Sequence, residues 1–317
     1  MRRVLICGAT GFIGRNLTER FAADPRYAVT AIHHRRPPFD CANVSWVRAD
    51  LANEEDVDRV LRGQDVVLQA AATTSGVRTT VSRPSEQIVK NAVMNSYIFA
   101  AALDHQVQHV LFPSCTIMLA SSDRAQREED YDPRVPPHAI YEGAAHTKLY
   151  IENLCSFYAK RGRVKFTVFR HSNVYGPYDK YDLQRSHVFG ATITKVLGAT
   201  DGRVQVWGTG EEKRDLLHVD DLVDAFVAAV ERQQAPFGLY NIGLGRAVSV
   251  RELVAMVVRA SGRNLDIVYD ESKPTVKTNV SLDCSRAEAE LGWRAKVGLE
   301  DGISRTIAWW QDNRPVG

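Results

Sequence analysis

The chain has few cysteines, no long apolar run and almost no excess of either charge. Its five cysteines, in 317 residues, show no Cys-x-x-Cys pair and no histidines at zinc-ligand spacing. We therefore expect no disulfide framework, no metal site and a reducing, cytoplasmic location. Forty basic and 38 acidic residues leave a net charge of +2, which gives no electrostatic case for binding nucleic acid.

Apolar segments are too short for a membrane span, which needs roughly 20 apolar residues. The first apolar segment, residues 4–6, is interrupted almost at once by Gly8 and Gly11, so it reads as a buried strand rather than a leader peptide. No membrane association is expected. The apolar fraction of 44% is that of an ordinary globular protein with a sizeable core.

Short β-rich segments alternate with longer segments whose apolar residues have helical spacing, such as 88–103 and 149–158. This alternation predicts βαβ units and a doubly wound parallel sheet of the Rossmann type. The predicted strands cover residues 4–6, 27–32, 44–47, 66–68, 110–112 and 167–169.

The alternation loosens after about Asn173, where Gly, Pro, Tyr and Asp cluster in residues 174–179. We therefore predict a dinucleotide-binding domain over residues 1–172 and a smaller C-terminal α/β substrate domain over most of 173–317. A later strand and helix near 215–245 are expected to return to the first domain.

Two capping boxes predict helix starts in the C-terminal part. Ser249 pairs with Glu252 in one, and Ser285 pairs with Glu288 in the other. Gly292 stands where the second helix should end.

Three glycines form a turn directly after the first predicted strand and before a helix. Small residues there let the backbone approach a pyrophosphate, and the helix N-terminus offers unpaired N–H groups. The strand–turn–helix context favours dinucleotide binding over a purely structural turn. The residues of this predicted site are Gly8, Thr10, Gly11, Phe12, Ile13 and Gly14.

The end of the second strand bears on the choice of cofactor. NAD sites usually carry an Asp or Glu there for the ribose 2′-hydroxyl, whereas this chain has His33, His34, Arg35 and Arg36. Guanidinium groups bind a phosphate bidentately, so this pattern favours NADP, with NAD possible and a solvated basic loop as the other reading.

Two further strand ends should border the cofactor. Asp50 and Leu51 end the third strand, where the Asp50 carboxylate could meet the adenine edge. The small side chains of Ala70, Ala71 and Ala72 end the fourth strand and would let the backbone pass close to the dinucleotide.

Chemistry is expected beyond the carboxyl ends of the later strands. Ser114 follows the fifth strand, Lys148 lies on the next helix, and Asn173 opens an Asn-Val-Tyr-Gly-Pro segment after the sixth. With the glycine turn, this order resembles the extended short-chain dehydrogenase/reductase family. The resemblance implies that Ser114 orients the reacting oxygen and that Lys148 holds the nicotinamide ribose.

A narrower resemblance is to the GDP-L-fucose synthase branch of that family. It rests on residues 177–179, 186–188, 206–208, Arg214 and 218–221, and covers nearly the whole chain. The branch epimerises and reduces GDP-4-keto-6-deoxymannose with NADPH. It implies that Asn173, Lys195, Trp207 and Arg214 face the substrate.

The chain departs from the family at its Tyr-x-x-x-Lys motif. The position four residues before Lys148 is Ala144, which has no proton to transfer. Tyr141 lies seven residues before Lys148, on the same helical face but ~10 Å away along a helix axis at ~1.5 Å per residue. It is either a displaced acid/base group or a wall or interface residue.

Other groups could move protons in this branch. His187 matches the histidine that works with a cysteine in epimerisation, and imidazole suits that task near neutral pH. The branch cysteine matches Thr116, and Cys115 adjoins it. A threonine hydroxyl is a far weaker acid than a thiol, so double epimerisation is in question. The branch also has an arginine where this chain has Asn279, which leaves the nucleoside open.

The expected function is an NADP-dependent oxidoreductase or epimerase acting on a GDP-linked, or otherwise nucleotide-linked, 4-keto or 4-hydroxy sugar. A redox-neutral epimerase or dehydratase is one alternative. A catalytically weakened NADP-binding sensor, or an inactivated variant, is the other. The family resemblance also implies a homodimer that pairs through helices near 84–103 and 140–159.

Overall fold

The computed structural model describes residues 1–73, 84–273 and 275–313. Its strands are β1 (Arg2–Cys7), β2 (Tyr27–His33), β3 (Val44–Arg48), β4 (Val66–Gln69), β5 (His109–Pro113), β6 (Lys165–His171), β7 (Asn173–Tyr175), β8 (Arg203–Trp207), β9 (Lys213–His218), β10 (Phe237–Ile242), β11 (Ala247–Ser249) and β12 (Asp266–Asp270). Its α-helices are α1 (Phe12–Ala22), α2 (Glu54–Leu61), α3 (Pro84–Asp104), α4 (Glu142–Ala159), α5 (Val188–Gly198), α6 (Val219–Arg232), α7 (Val250–Ala260), α8 (Ser285–Leu291) and α9 (Leu299–Asn313). Single 3₁₀ turns span Glu128–Asp130 and Ala139–Tyr141.

A parallel sheet of seven strands runs in the order β10-β6-β5-β4-β1-β2-β3. Strand β1 pairs on one side with β2, Val4 opposite Val29, and on the other with β4, Val4 opposite Val66. The strand order therefore reverses between β1 and β4, which opens a crevice at their carboxyl ends. The predicted doubly wound, Rossmann-type α/β fold is confirmed.

Apolar cores cover both faces of this sheet. Helices α1, α6 and α8 pack on one face, around Leu17, Phe169 and Phe226. Helices α2, α3 and α4 pack on the other, around Phe99, Phe112 and Phe166. Strands covered on both sides read as almost continuous apolar runs, as parallel strands usually do. The rigid sheet holds the loops at its carboxyl edge in place.

A smaller lobe begins at that edge, because β7 starts two residues after β6 ends. It contains a three-stranded sheet, β11-β9-β7, and a parallel pair, β12-β8. Helices α5, α7 and α9 pack around them through Phe189, Ile193, Leu253 and Ile303. The chain also returns to the large sheet, because β10 pairs with β6 from Phe237 opposite Phe166 to Ile242 opposite His171.

The helix boundaries test the predicted caps. The box of Ser249 and Glu252 is confirmed, and Gly292 ends α8 with a φ of 58° in the left-handed region. The box of Ser285 and Glu288 is wrong, because Ser285 is the first residue of α8 rather than its N-cap. The Asp283 carboxylate instead accepts the Ser285 N–H at 2.9 Å.

Membrane-crossing helices are not found in the part of the chain that the structure describes: no helix there is both long and apolar enough.

Candidate active site

The glycine turn between β1 and α1 leaves no room for side chains. Gly8 has a φ of 71°, and a Cβ added there would lie 2.6 Å from the Cα of Ala71. A Cβ on Gly14 would overlap the Gly8 carbonyl oxygen. Gly11 is the N-cap of α1, and the first turn carries no acidic side chain. This open backbone cradle at a helix N-terminus fits the pyrophosphate of a dinucleotide.

The residues predicted to meet the dinucleotide lie around this turn. Ala70 donates its N–H to the Cys7 carbonyl at 3.2 Å, and the backbone of Ala71 lies against Gly8, so the residues that follow β4 lie beside the glycine turn. Thr10, Phe12 and Ile13 are half-buried along the turn and the first residues of α1.

The basic segment after β2 lies beside the glycine turn. Arg35 and Arg36 are exposed, and Arg36 Nη1 lies 3.5 Å from the Thr10 carbonyl oxygen. The His33 ring packs edge-on to Trp46, with centroids 6.3 Å apart. None of these groups is a carboxylate, so the end of β2 is positive.

Asp50 and Leu51 follow β3 next to this basic segment. Asp50 Oδ1 accepts the Ala52 N–H at 3.0 Å, and its Oδ2 lies 3.8 Å from His34 Nε2. Leu51 is buried. The Asp50 carboxylate is thus held by its own turn while half its side chain remains exposed.

Lys148 reaches from α4 to the end of β5. Its Nζ donates to the Pro113 carbonyl at 2.9 Å and lies 4.5 Å from the centroid of the Phe112 ring. Burial lowers the pKa of Lys148. The ammonium therefore stands at the carboxyl edge of the sheet, where its predicted role requires it to be.

Ser114 is turned into the protein. Its hydroxyl donates to Glu152 Oε1 at 2.5 Å, and the residue is almost fully buried. Glu152 pairs with Arg170 at 2.7 Å, and both side chains are about 5% exposed. In this arrangement the Ser114 hydroxyl hydrogen-bonds to a buried ion pair, that of Glu152 with Arg170. The sequence analysis missed Glu152 and Arg170, although Glu152 lies four residues after Lys148, one turn along the same helix.

Ala144 and Tyr141 lie at different places relative to Lys148. Ala144 occupies the first turn of α4, whereas Tyr141 ends a 3₁₀ turn and is the N-cap of that helix. Burial raises the pKa of the Tyr141 phenol, and the positive charge of Arg214 opposes that rise. The structure thus brings Tyr141 towards Arg214 on β9, in the smaller lobe.

Two histidines act on each other in this part of the protein. His187 is the N-cap of α5 and keeps solvent contact, yet the surrounding protein lowers its pKa, assisted by the charge of Lys180. His171, which the sequence analysis did not single out, ends β6, and its Nδ1 donates to the Ser172 carbonyl at 2.8 Å. That bond leaves the Nε2 lone pair of a neutral ring available.

The electrostatic surroundings keep the His171 ring neutral. Burial is the largest cause lowering its pKa, to about 4, and the charges of Lys148 and His187 add to it. The charges of Lys148 and His187 therefore both act on His171, and Lys148 lies one helical turn after Ala144 on α4.

Cys115 and Thr116 follow Ser114 and are half-buried. Burial raises the pKa of the Cys115 thiol, and the Lys148 charge partly offsets this. Thr116 accepts the Leu119 N–H through its carbonyl at 2.9 Å, which closes a turn. At neutral pH the Cys115 thiol is therefore a proton donor rather than a thiolate.

The residues predicted to face the substrate line the smaller lobe. Trp207 is 49% exposed, and Lys195 Nζ lies 5.3 Å above its ring. Arg214 donates to Thr278 Oγ1 at 2.7 Å, which ties β9 to the segment after β12. Asn173 donates to the Asp215 carbonyl at 3.2 Å.

The Asn279 side chain points away from the residues predicted to face the substrate. Its side-chain amide donates to Asp123 Oδ1 at 3.1 Å, and its backbone N–H donates to Ser121 Oγ at 3.1 Å. It joins two surface segments where the resembling branch has an arginine.

The comparison with known proteins decides the family. The model of the NAD dependent epimerase/dehydratase family matches residues 4–243. The chain belongs to this family. The matched residues include the glycine turn, Lys148, His171 and His187. Membership of this family makes the protein an NAD(P)-dependent enzyme.

Individual relatives match over nearly their whole length. The chain is 28% identical to the GDP-L-fucose synthase of Escherichia coli (strain K12), covering 99% of this chain and 98% of that protein. A solved UDP-glucose 4-epimerase of Thermotoga maritima, with UDP-glucose, is 25% identical with a TM-score of 0.87, over 98% and 99% of the two chains. The UDP-glucose 4-epimerase of Thermus thermophilus, in complex with NAD, is 25% identical with a TM-score of 0.83, over 98% and 99%.

Proposed function

We propose that the protein is an NADP-dependent oxidoreductase or epimerase that acts on a nucleotide-linked sugar, GDP-linked by preference, at a 4-keto or 4-hydroxy carbon. One observation carries the proposal. The glycine cradle, Lys148 and His171 lie at the carboxyl edge of one sheet, and the adjoining smaller lobe carries His187, the exposed Trp207 and the half-buried Arg214. The similarity to a GDP-L-fucose synthase and to UDP-glucose 4-epimerases supports the substrate class.

The cofactor would be held by this chain's own backbone and cations. The glycine turn would take the pyrophosphate, the Ala70–Ala72 strand end would border it, and Lys148 would hold the nicotinamide ribose. Arg35 and Arg36 favour the 2′-phosphate of NADP, since the end of β2 carries no carboxylate. When bound, the nicotinamide supplies hydride exchange with a sugar carbon.

Residue 144 cannot transfer a proton in this chain, because alanine has no titratable group. We assign proton exchange at the sugar to His187, which keeps solvent contact. The ring of His171 is neutral, and its Nε2 can accept a hydrogen bond from the substrate, because Nδ1 donates to a carbonyl. A positioned acid or base contributes about 10²- to 10⁴-fold in rate, so loss of either histidine should cost about that much if it carries the proton.

The thiol and hydroxyl groups after β5 would assist. Cys115 is protonated at neutral pH and can give a proton, and Thr116 can hydrogen-bond the substrate. Ser114 would orient the reacting oxygen only after its hydroxyl rotates away from Glu152, which gives this residue a switchable rather than a fixed role.

The nucleoside diphosphate would lie against the smaller lobe. Trp207 offers a ring for base stacking, Lys195 and Arg214 offer positive charge, and Asn173 offers an amide at the mouth of the cleft. Tyr141 keeps its proton because its pKa is raised, so it can donate a hydrogen bond to an anionic group beside Arg214. We place Tyr141 with the substrate-binding residues.

A redox-neutral epimerase or dehydratase is the second candidate. The observation that favours it is the combination of Ala144 with a Ser114 hydroxyl closed off from solvent, because the family's tyrosine and serine at these positions serve the reacting oxygen. A cofactor-binding sensor is the third, with the same residues in its favour.

We also propose a cytoplasmic homodimer. Five free cysteines suit a reducing compartment. Helices α3 and α4 pack against each other and still expose apolar side chains on their outer surface, Val89, Tyr150 and Phe157. An exposed apolar patch on paired helices is typical of an interface.

The test is a substrate panel with isotope readout. The purified enzyme is incubated in D₂O with GDP-, UDP-, CDP- and dTDP-linked sugars, 4-keto and 4-hydroxy, with NADPH, NADP⁺, NADH or NAD⁺. Turnover of a GDP-linked sugar coupled to NADPH or NADP⁺ supports the proposal, and deuterium at the sugar carbons marks epimerisation. Conversion without net cofactor change supports the second candidate. Binding with no conversion of any sugar supports the third.

Three variants separate the proton routes. His187→Gln and His171→Gln each keep hydrogen-bonding capacity but remove titration, and Ala144→Tyr restores the family's phenol. If His187 carries the proton, its variant loses turnover and deuterium exchange together, while Ala144→Tyr changes the rate little. Strong activation by Ala144→Tyr in an otherwise inactive chain would show that turnover had been lost with the tyrosine.

A further inference from the structure

The ribbon of β8 and β12 in the smaller lobe has one buried face and one open face. Along β8, Val204 and Val206 are buried, whereas Gln205 and Trp207 are exposed. Successive side chains of a strand point to opposite faces, so Gln205 and Trp207 share the open face. The indole ring, 49% exposed there, offers a flat surface on which a planar ring can stack.

Asp270 lies across from Trp207 on the neighbouring strand. The two residues are paired in the parallel register of β8 and β12, and the Gly208 N–H donates to the Asp270 carbonyl at 2.8 Å. Paired strands lie about 4.8 Å apart, and residues in register project to the same face. Asp270 Oδ2 also accepts the side-chain amide N–H of Gln205 at 3.0 Å. The carboxylate therefore stands on the open face, beside the indole ring.

Hydrogen bonds fix the orientation of both polar groups. Asp270 Oδ1 accepts the Ser272 hydroxyl at 2.6 Å and the Ser272 N–H at 3.2 Å. Those bonds lower the pKa of Asp270, so its carboxyl is ionised at neutral pH. Oδ2 has two lone pairs and accepts one bond from Gln205, whose own Oε1 is thereby directed away from the carboxylate. The open face thus presents two neighbouring acceptors, Asp270 Oδ2 and Gln205 Oε1.

Guanine is the nucleobase that matches two neighbouring acceptors. Its N1–H and its 2-amino group are adjacent donors. Uracil and thymine instead have one donor between two acceptors, and cytosine and adenine have an amino group beside an acceptor. An acceptor of those bases would meet Asp270 Oδ2 or Gln205 Oε1 with no proton between them, which leaves both atoms without a hydrogen bond. The open face therefore distinguishes guanine by its hydrogen-bonding pattern.

The distance to the sugar end of the cleft also fits. His187 is the N-cap of α5, and Lys195 follows eight residues later, about 12 Å along the helix axis. Lys195 Nζ donates to the Gln205 carbonyl at 3.0 Å and lies 5.3 Å from the centroid of the Trp207 ring. The open face is therefore about two helical turns from the group to which we assign proton exchange, a separation that a ribose and two phosphates bridge.

We propose that Asp270 and Gln205 recognise the guanine base of the nucleotide sugar, which stacks on Trp207. Asp270 Oδ2 accepts from the 2-amino group, and Gln205 Oε1 accepts from N1–H. The inference rests on the proposed GDP-linked substrate. Selection of guanine then does not depend on Asn279, which stands where the resembling branch has an arginine.

The test measures nucleotide binding without catalysis. Dissociation constants of GDP, inosine diphosphate and UDP are measured by calorimetry for the wild type and Asp270→Asn. Excess NADP⁺ or NAD⁺ is present so that the dinucleotide cradle is filled. Inosine diphosphate is GDP without the 2-amino group. Asp266→Asn is the matched control, since Asp266 is an exposed carboxylate on the same strand and the same face, opposite Arg203.

Asp270→Asn keeps an oxygen for Ser272 but turns an amide N–H group towards the base, and Gln205 must then reverse its own amide to accept from it. Because two acceptors become two donors, we expect GDP binding to weaken about 10- to 100-fold, the range of a hydrogen bond to a charged group. UDP binding should stay within about twofold. The wild type should bind GDP more tightly than inosine diphosphate, and the variant should bind the two alike.

Two further variants test the other parts of the inference. Trp207→Leu should weaken all three nucleotides, because stacking does not depend on the identity of the base. Asp266→Asn should change none of them. An equal loss for GDP and UDP in Asp270→Asn, or the same loss in Asp266→Asn, would show an effect on the lobe as a whole rather than on the base, and would overturn the inference.

The wild type separates the two proposals. If it prefers GDP to UDP and Asp270→Asn keeps that preference, only the inference fails. If the wild type shows no preference for GDP, the proposed GDP-linked substrate fails, and the inference falls with it.

Discussion

Replacing Asp179 with asparagine should stabilise the protein at pH 8, and this advantage should shrink towards pH 5. Asp179 follows Tyr178 in the segment after β7. Its Oδ1 accepts the Lys180 N–H at 2.7 Å, whereas its Oδ2 is buried and finds no partner among the described residues. Burial is the main cause raising the pKa of Asp179 to about 7, from 3.8. Ionising this carboxyl in the folded state is therefore costly.

The sign and size follow from linkage. A pKa raised in the folded state means that the unfolded state releases its proton first, so the wild type loses stability as pH rises from 3.8 towards 7. One pKa unit corresponds to about 1.4 kcal/mol, so the penalty reaches about 4 kcal/mol above pH 8 and about 1.7 kcal/mol at pH 5. The advantage of Asp179→Asn should therefore grow by about 2.5 kcal/mol between these two pH values.

Urea unfolding at pH 5 and pH 8 measures this growth. With a slope of about 3 kcal/mol/M, the midpoint difference between variant and wild type should widen by roughly 0.8 M. The asparagine amide still lacks a hydrogen-bond partner, which lowers the variant's free energy of unfolding by about 1 to 3 kcal/mol at every pH. This loss does not depend on pH, so the difference in the variant's advantage between pH 5 and pH 8 is unchanged. Glu211→Gln, at an exposed carboxylate, is the control and should show no such growth. A constant or shrinking advantage for Asp179→Asn would refute the reasoning.

Other predictions test the cradle, the ion pair and the dimer. Gly14→Ala should abolish ADP-ribose binding in calorimetry, since its Cβ overlaps a backbone carbonyl; Gly198→Ala, with open space around it, should bind normally. Glu152→Ala should lower the free energy of unfolding by about 3 to 5 kcal/mol in urea, because it strands the buried charge of Arg170. Phe157→Glu should convert a dimer to monomers in analytical ultracentrifugation while the fold, followed by circular dichroism, is retained.

Much of the fold could be predicted because parallel strands buried on both faces produce a distinct pattern of apolar runs between amphipathic helices. The first six strands and the glycine turn are short-range signals. Each is set by residues adjacent in sequence, and Gly8 and Gly14 are required by a close backbone approach that the structure shows.

Features made by distant residues were harder to foresee. The inward turn of the Ser114 hydroxyl depends on Glu152 and Arg170, which lie far along the chain on α4 and β6. The position of the segment after β7 depends on the packing of Arg15 between the rings of Phe39 and Tyr178, which come from two other parts of the chain. The Ser285 box failed for a local reason, since Asp283 takes the N–H that starts α8.

The most direct test of the account is the stoichiometry of cofactor consumption. Wild-type enzyme is mixed with a GDP-linked 4-keto sugar and NADPH, absorbance is followed at 340 nm, and sugar product is quantified from the same sample. The account predicts one NADPH oxidised for each sugar nucleotide reduced, with NADH much less effective. Product formed without loss of NADPH would contradict the reductase and favour a redox-neutral epimerase or dehydratase, and no product with any nucleotide sugar would contradict the proposed enzyme altogether.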